Sequence, residues 1–504
     1  MIESLFVWFL QLVNYIVLVY FVLLNTTYLI TSFGAIRWLK KYSFRLKSID
    51  LDELMTSAGA PPITMLAPAF NEEATVVEST QSLLTLRYPS FEIVLINDGS
   101  ADGTLERLKE SFDLSPAPRT PTSNLQTATV REIYHSRRHR ELWVIDKENG
   151  GKSDALNAGI NFCRTPLFCA MDADSLLERD SLLRIVRPFL EDATTVAAGG
   201  VIRIANGCTV ESGLLKEVQL PRGLLAQFQV VEYLRAFLAS RVGWHALKGM
   251  LIVSGAFGVF SRRVVADAGG YDIDTVGEDM ELVVRLHRHC LERGIPYSIA
   301  FIPDPVAWTE CPETIASLGR QRDRWQRGLG ECLWRHRDMM FNPQFGRIGL
   351  LAYPYYFFLE MGSSIIELIG YFSFALSLVL GTASPTYIAT FLLVALVFGV
   401  VLSVSAVGLE ELCFRRYPNF KDVFRLFLIA ILENFGYRQL SVYWRVRGFF
   451  AWLRRTKGWG EQERRGFGGA AGGGGARKAS VSKSRFLRGG SRTSDSVGSQ
   501  TSHQ

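Results

Sequence analysis

Leu167-Phe168-Cys169-Ala170-Met171-Asp172-Ala173-Asp174 decides the fold: five apolar residues end on two carboxylates separated by one small residue. The apolar run reads as a buried strand, and Asp172 and Asp174 fall where that strand meets its loop. Two hard oxygen ligands at i and i+2 on a turn can hold Mg²⁺ or Mn²⁺ against a diphosphate. Asp-x-Asp is also ordinary solvated-loop chemistry, so its surroundings must decide between the two.

Upstream, residues 63–67 read as a buried strand running into Pro68-Ala69-Phe70-Asn71-Glu72-Glu73, and residues 91–96 as another running into Asn97-Asp98-Gly99-Ser100. Helical stretches follow each, which makes βα units and predicts an α/β, doubly wound domain. In an open parallel sheet ligands bind beyond the carboxyl ends of the strands, and Asn71, Asp98, Asp172 and Asp174 all fall there. Turn chemistry accounts for Asn-Asp-Gly-Ser alone, but not for the repetition. Between these motifs, Lys147-Glu148-Asn149-Gly150-Gly151-Lys152-Ser153 begins as a Gly-Gly loop and passes into a helix, aiming N–H groups and Lys152 at an anion. It lacks the Gly-Lys-Ser/Thr spacing of a Walker loop, and a plain helix start explains it equally well.

Downstream, Gly277-Glu278-Asp279-Met280-Glu281 opens an amphipathic helix, whose dipole favours acids at that end in any case. Gln321-Arg322-Asp323-Arg324-Trp325-Gln326-Arg327 supplies guanidinium groups for phosphate and an indole for a sugar face. Trp325, Leu329 and Leu333 at i, i+4 and i+8 fit a basic interfacial helix as well.

The ordered set Asp98, Asp172-Ala173-Asp174, Glu278-Asp279 and Gln321-x-x-Arg324-Trp325 resembles that of processive family 2 glycosyltransferases. These are membrane enzymes that include cellulose, chitin, hyaluronan and poly-N-acetylglucosamine synthases. The resemblance covers residues 60 to 340, and Ser254-Gly255-Ala256-Phe257-Gly258 is most similar to the bacterial poly-N-acetylglucosamine synthase branch. It implies a GT-A-like nucleotide-sugar-binding domain with flanking transmembrane and interfacial helices. It also implies inverting transfer from a nucleoside diphosphate sugar, first of all a UDP-sugar, to a growing glycan. On that reading Asn71 and Asp98 hold the uridine, Asp172 aids donor binding, Asp174 coordinates Mg²⁺ or Mn²⁺, and Lys152 meets the diphosphate. Asp279 is the general base with Glu278 beside it, Arg324 faces the leaving group, Trp325 stacks the acceptor and Gln321 orients it. Two rivals remain: a single-sugar transferase to a polyprenyl phosphate or glycolipid, which has no need of Gln-x-x-Arg-Trp, and a non-catalytic membrane scaffold.

At 504 residues and 48% hydrophobic content the chain exceeds one domain and is apolar for a soluble enzyme of its size. The excess is localised. Residues 5–33 predict a transmembrane helix (domain boundary 1–36), followed by a basic juxtamembrane linker at 37–60 carrying Arg37, Lys40, Lys41, Arg45 and Lys47. That charge places the catalytic domain, 61–341, in the cytoplasm of a multi-pass cell-membrane protein. Residues 342–457 hold a helical hairpin, 348–380 and 387–409, and an ambiguous segment, 423–444, expected to be interfacial or partly inserted, with a true fourth span the alternative. Glu360 and Glu367, within the hairpin, should face protein or a polar channel. Residues 458–504 predict a disordered, basic, Gly/Ser-rich tail beside anionic lipid. Asp495-Ser496-Val497-Gly498 does not match the Asp-x-Ser-x-x-Gly of cyclic-dinucleotide receptors. Most of the formal charge of +6 lies in that tail and the juxtamembrane clusters, and gives no indication of nucleic-acid binding. The implied partners are the donor, the glycan acceptor, membrane lipid and export or accessory subunits. Seven scattered cysteines without Cys-x-x-Cys suit reduced thiols, His287, His289 and Cys290 read as plain helix residues, and residues 113–124 as a surface loop.

Overall fold

The computed structural model describes residues 2–46, 51–56, 59–172, 175–211 and 214–455. The run 167–171 is a strand with all five side chains buried, and it sits mid-sheet. Ten strands make that sheet, in the order β3-β4-β5-β2-β1-β6-β11-β8-β12-β7. They are β1 (Ile63–Ala69), β2 (Phe91–Asp98), β3 (Leu114–Pro116), β4 (Val130–Ser136), β5 (Leu142–Lys147), β6 (Leu167–Met171), β7 (Leu176–Leu177), β8 (Thr195–Ile204), β11 (Phe257–Ser261) and β12 (Ser298–Thr309), while β9 (Thr209–Glu211) and β10 (Leu214–Glu217) form a separate ribbon.

The stretch β5-β2-β1-β6 is parallel, and its strands are buried on both faces, which is why they read as continuous apolar runs. Beyond β6 the winding changes: β11 runs antiparallel to both β6 and β8, so the sheet is mixed rather than doubly wound throughout. The register matters for function. Ala69 pairs with Asn97 and Asp98 with Lys147, and Phe257, the first residue of β11, pairs with Met171, the last of β6. The loops after β1, β2, β5 and β6, and the loop before β11, therefore open on one edge.

Three described helical stretches are long and apolar enough to cross a membrane: Ser4–Tyr42, Ile348–Val379 and Pro385–Cys413. The first exposes Phe6, Phe9, Leu12, Ile16, Val19, Leu23 and Ile30, an apolar surface too extensive for water to be its natural neighbour. The linker expected from residue 37 is not seen over its first part, because the N-terminal helix continues unbroken to Leu46. Ala35 and Leu39 are buried in the same core as the sheet, so the end of this helix packs onto the sheet domain. Residues 113–124 also depart from a plain loop. They contain β3, and the Arg119 guanidinium pairs with Glu92 and lies over Trp143.

The ambiguous segment resolves into two helices, Phe420–Leu432 and Tyr437–Leu453, broken at Gly436 with φ +95°. The second lies along the helix Ile315–Arg335, where aromatic rings fill the gaps over small residues: a Cβ on Gly319 would meet Trp444 at 2.6 Å, and one on Gly330 would meet Trp452 at 2.8 Å. Glu360 accepts from Tyr28 (3.2 Å) and Tyr355 (2.8 Å), and Glu367 is buried, so both acids face protein. The tail from 456, with Asp495-Ser496-Val497-Gly498, lies outside the described residues.

His287 shows how firmly this scaffold selects protonation states. Its Nε2 lies 2.8 Å from the carbonyl of Met250, which can only accept, so Nε2 carries the proton and Nδ1 takes the Tyr297 hydroxyl at 2.8 Å. Burial holds the ring down at about 4, against the usual 6.5. Falling pH protonates the unfolded chain first, so the stability from His287 is complete above pH 6.5 and lost between 6.5 and about 4, on the order of 3 kcal/mol. Melting curves across that window should drop steeply for the native protein and less for His287→Gln.

Candidate active site

The site begins with loops set by the strand ends. After β1, Asn71 adopts φ 55° and its Oδ1 accepts the Ala101 amide at 2.9 Å, while its own N–H donates to Ser100 Oγ at 3.0 Å. This pins the loop after β1 to the loop after β2. Gly99, with φ +66°, lets the second loop pass the third, since a Cβ there would lie 2.6 Å from the Asn149 nitrogen. Asp98, expected to meet ribose or base, is turned inward and only 3% exposed. Its Oδ1 accepts from Lys147 (2.6 Å) and Gly150 N (3.0 Å), its Oδ2 from Gly151 N (2.8 Å) and Asn149 (3.3 Å). Fully buried Lys147 also pairs with Asp154 at 2.6 Å. Both Asp98 oxygens thus shape the Gly-Gly turn, the first task of a carboxylate whose buried oxygens would otherwise lack partners.

That turn starts the helix Lys152–Phe162. Lys152, expected at a diphosphate, bridges Asp172 Oδ1 at 2.5 Å and Glu278 Oε1 at 3.0 Å. Burial opposes its charge, but the two carboxylates more than compensate and hold the ammonium protonated well above its usual range. Glu278 is raised by its own burial, with Asp279 adding to the shift and Lys152 opposing it. Glu278 and Asp279 open the helix Glu278–Glu292. Asp279 takes the Met280 amide on Oδ1 at 2.8 Å and the Gly255 amide on Oδ2 at 3.1 Å. Gly255 is the member of the cluster that sequence reasoning missed. A Cβ on it would sit 3.0 Å from Lys152 Nζ and 3.5 Å from Asp279 Cβ, so its bare backbone eases the close approach of the Lys152 ammonium and Asp279. Its signal lies in Ser254-Gly255-Ala256, a small-residue stretch directly before the strand that pairs with β6.

Asp172 is partly exposed at the carboxyl end of β6, and Asp174 lies outside the described residues. Among the described residues no three His, Cys, Asp or Glu side chains converge as a metal cage. Among the described residues the strand end presents one carboxylate, Asp172, whose Oδ1 meets Lys152 at 2.5 Å.

Gln321, Arg324 and Trp325 lie on the helix Ile315–Arg335, joined to the acidic helix by a backbone contact. Gly277 and Gly328 approach so closely that a Cβ on either would come within 2.9 Å of the other's Cα. Glu331 locks the contact by accepting from Val276 N (3.0 Å) and Thr275 Oγ1 (3.2 Å). Trp325 is 39% exposed. One ring face carries the Arg322 guanidinium at 4.3 Å, and Phe237 meets it edge-on at 6.1 Å. Arg322 also donates to Gln321 Oε1 at 2.7 Å and to Glu232 at 2.6 Å. Arg324 is half-buried on the same turn.

The geometry is thus an acid-rich cluster at the strand ends, a carboxylate at a helix start, and an aromatic and cationic helix joined to it by a close backbone contact. Residues 61–328 match the family model described as glycosyltransferase like family 2. The chain belongs to that family. This glycosyltransferase is 30% identical over 302 residues to the poly-β-1,6-N-acetyl-D-glucosamine synthase of Staphylococcus aureus (strain COL), covering 58% of this chain and 60% of that one. With the protein of the same name from Staphylococcus epidermidis it is 29% identical over 279 residues, 54% of this chain and 56% of the other. It thus spans about 60% of the length of such relatives. A mannosyltransferase from Pyrobaculum calidifontis, solved in complex with GDP-Man and Mn²⁺, overlaps 82% of this chain and 99% of its own at 17% identity and a TM-score of 0.47.

Proposed function

We propose that this glycosyltransferase transfers N-acetylglucosamine from UDP-N-acetylglucosamine, with inversion, to a growing polysaccharide at the cytoplasmic face of the membrane, processively and coupled to export. The observation that carries the reading is the single assembly of Asp172, Lys152, Glu278 and Asp279, tied through the Gly277–Gly328 contact to the turn bearing Trp325. The proposed donor and acceptor sides meet through that backbone contact, an arrangement that suits repeated transfer. The likeness to poly-β-1,6-N-acetyl-D-glucosamine synthases supports the sugar and the polymer, and Arg37, Lys40 and Lys41 at the end of the N-terminal helix support the cytoplasmic side.

Asp279 removes the acceptor hydroxyl proton as that oxygen attacks the anomeric carbon and the bond to the diphosphate breaks. Gly255 and Met280 amides fix the carboxylate's direction. Asn71 and Asp98 shape the uridine end of the cleft, Asp98 through the Gly-Gly turn. A divalent cation held by Asp174 with Asp172 would offset the charge gathering on the departing diphosphate. Lys152 keeps Asp172 and Glu278 in place and lies within the same cleft, Arg324 adds charge from the acceptor helix, Trp325 stacks the acceptor sugar and Gln321 orients it.

The test is incubation of the protein in lipid nanodiscs with a panel of nucleotide sugars, recording UDP release and product size. Polymer from UDP-N-acetylglucosamine is the expected result, and single additions onto a polyprenyl phosphate would overturn it. EDTA should remove most UDP release and Mn²⁺ should restore it in the native protein, whereas Asp174→Asn should stay inactive with an unchanged melting temperature. Full activity in EDTA would remove the metal assignment.

A further inference from the structure

Arg241 opens the short helix Arg241–Ala246 and is 6% exposed. Among the described residues its guanidinium makes no hydrogen bond, and Nη1 is fully enclosed without a partner. A guanidinium has five donors, and enclosing one unpaired is costly enough that folded proteins rarely do it. Arg241 Cζ stacks 4.2 Å from the centre of the Phe237 ring, one turn earlier, and Phe237 is the ring that meets Trp325 edge-on at 6.1 Å. The groups whose charge acts on it are Tyr356, Asp279 and Tyr233. Burial dominates and draws the guanidinium down to about 10. Arg241 therefore stacks on the ring that borders Trp325, within the field of Asp279 and Tyr356.

We propose that Arg241 is an acceptor-binding residue, its unpaired N–H groups donating to hydroxyl and acyl-carbonyl oxygens of the glycan unit seated beside Asp279. The proposal rests on the polysaccharide reading above and deepens it. A saccharide supplies many lone pairs without charge, which suits a cation already partly balanced by the Phe237 face and by Asp279. Its apolar C–H face fits the neighbouring rings. Before the acceptor binds, the enclosed Nη1 is a stored cost.

Such a residue sacrifices stability for binding, and that gives the test a sign. Arg241→Met keeps length and packing while removing an unpaired buried cation, so its melting temperature should equal or exceed that of the native protein. Binding of a β-1,6-linked N-acetylglucosamine tetramer, followed by Trp fluorescence in nanodiscs, should weaken at least tenfold, while UDP affinity and acceptor-free donor hydrolysis change less than twofold. Arg241→Lys should recover part of the tetramer affinity. Unchanged tetramer binding, a lowered melting temperature, or loss of UDP affinity would each overturn the assignment. A native protein that binds UDP and yet neither binds nor extends the tetramer would overturn it too, by removing the acceptor reading itself, and is recognisable because the native protein fails along with the variant.

Discussion

Asp279→Asn is expected to lower the rate of sugar transfer by roughly 100-fold or more while leaving UDP-sugar affinity within a few-fold of native, the scale for losing a general base. The substitution is nearly isosteric. The amide oxygen can still accept one of the two N–H groups, from Gly255 or Met280, that hold the carboxylate, so the fold has little reason to change. What disappears is the ability to take a proton. Glu278 cannot substitute: its carboxylate is buried and bound to Lys152 at 3.0 Å. Glu278→Gln should behave differently, releasing Lys152 towards Asp172 and disturbing donor binding. Rates under single-turnover conditions and UDP-sugar titrations on both variants separate the roles. If Asp279→Asn loses donor affinity with its saturated rate intact, Asp279 belongs to the donor site.

The parallel half of the sheet was legible because burial on both faces leaves no polar alternation, so β1, β2 and β6 stand out as apolar runs ending in Asn, Asp and Gly. The position of Asp172 followed from the same rule, since a strand that ends on acids at a sheet edge has few places to put them. The antiparallel part was not legible. β11 is recognisable only through its pairing with Met171 and Ala170, a contact between residues almost ninety positions apart with no local signature. The continuation of the N-terminal helix through Lys40 was hidden for a related reason: its charges suggest a linker, and only the burial of Leu39 by the catalytic domain shows what that turn is for. At the site, sequence reading found residues that bear charge and missed those that act by absence or by support. Gly255 works by having no side chain. Lys147 and Glu331 hold loops from behind, and nothing in their neighbours distinguishes them from ordinary surface charges. Asp98 and Lys152 carried visible signals, yet their partners are set by tertiary structure, which directs one inward and ties the other to two acids.

Glu232→Gln should be the most damaging single change outside the acidic cluster, because Glu232 is the counter-charge for Arg322 on the helix Ile315–Arg335. Its Oε2 accepts from Arg322 at 2.6 Å and from the Tyr437 hydroxyl at 2.5 Å. Although burial works against its charge, Arg322 and Tyr437 together hold its carboxyl below the usual range. Arg322 in turn grips Gln321 and covers Trp325, so one guanidinium positions two of the proposed acceptor contacts and Glu232 positions the guanidinium. Removing one partner of a buried pair strands the other, at a cost of about 3 kcal/mol or more. The variant should therefore melt several degrees lower. Stability loss alone would not show positioning, so the deciding variant is Glu232→Leu combined with Arg322→Met, which removes both charges and should regain most of the stability. Its polymer yield should nevertheless stay low, with donor hydrolysis near native, because Gln321 and Trp325 have lost the group that sets their angle. Full polymer formation in that stable double variant would show the ion pair to be a structural bolt between the helices Leu224–Tyr233, Ile315–Arg335 and Tyr437–Leu453, with no part in presenting the acceptor.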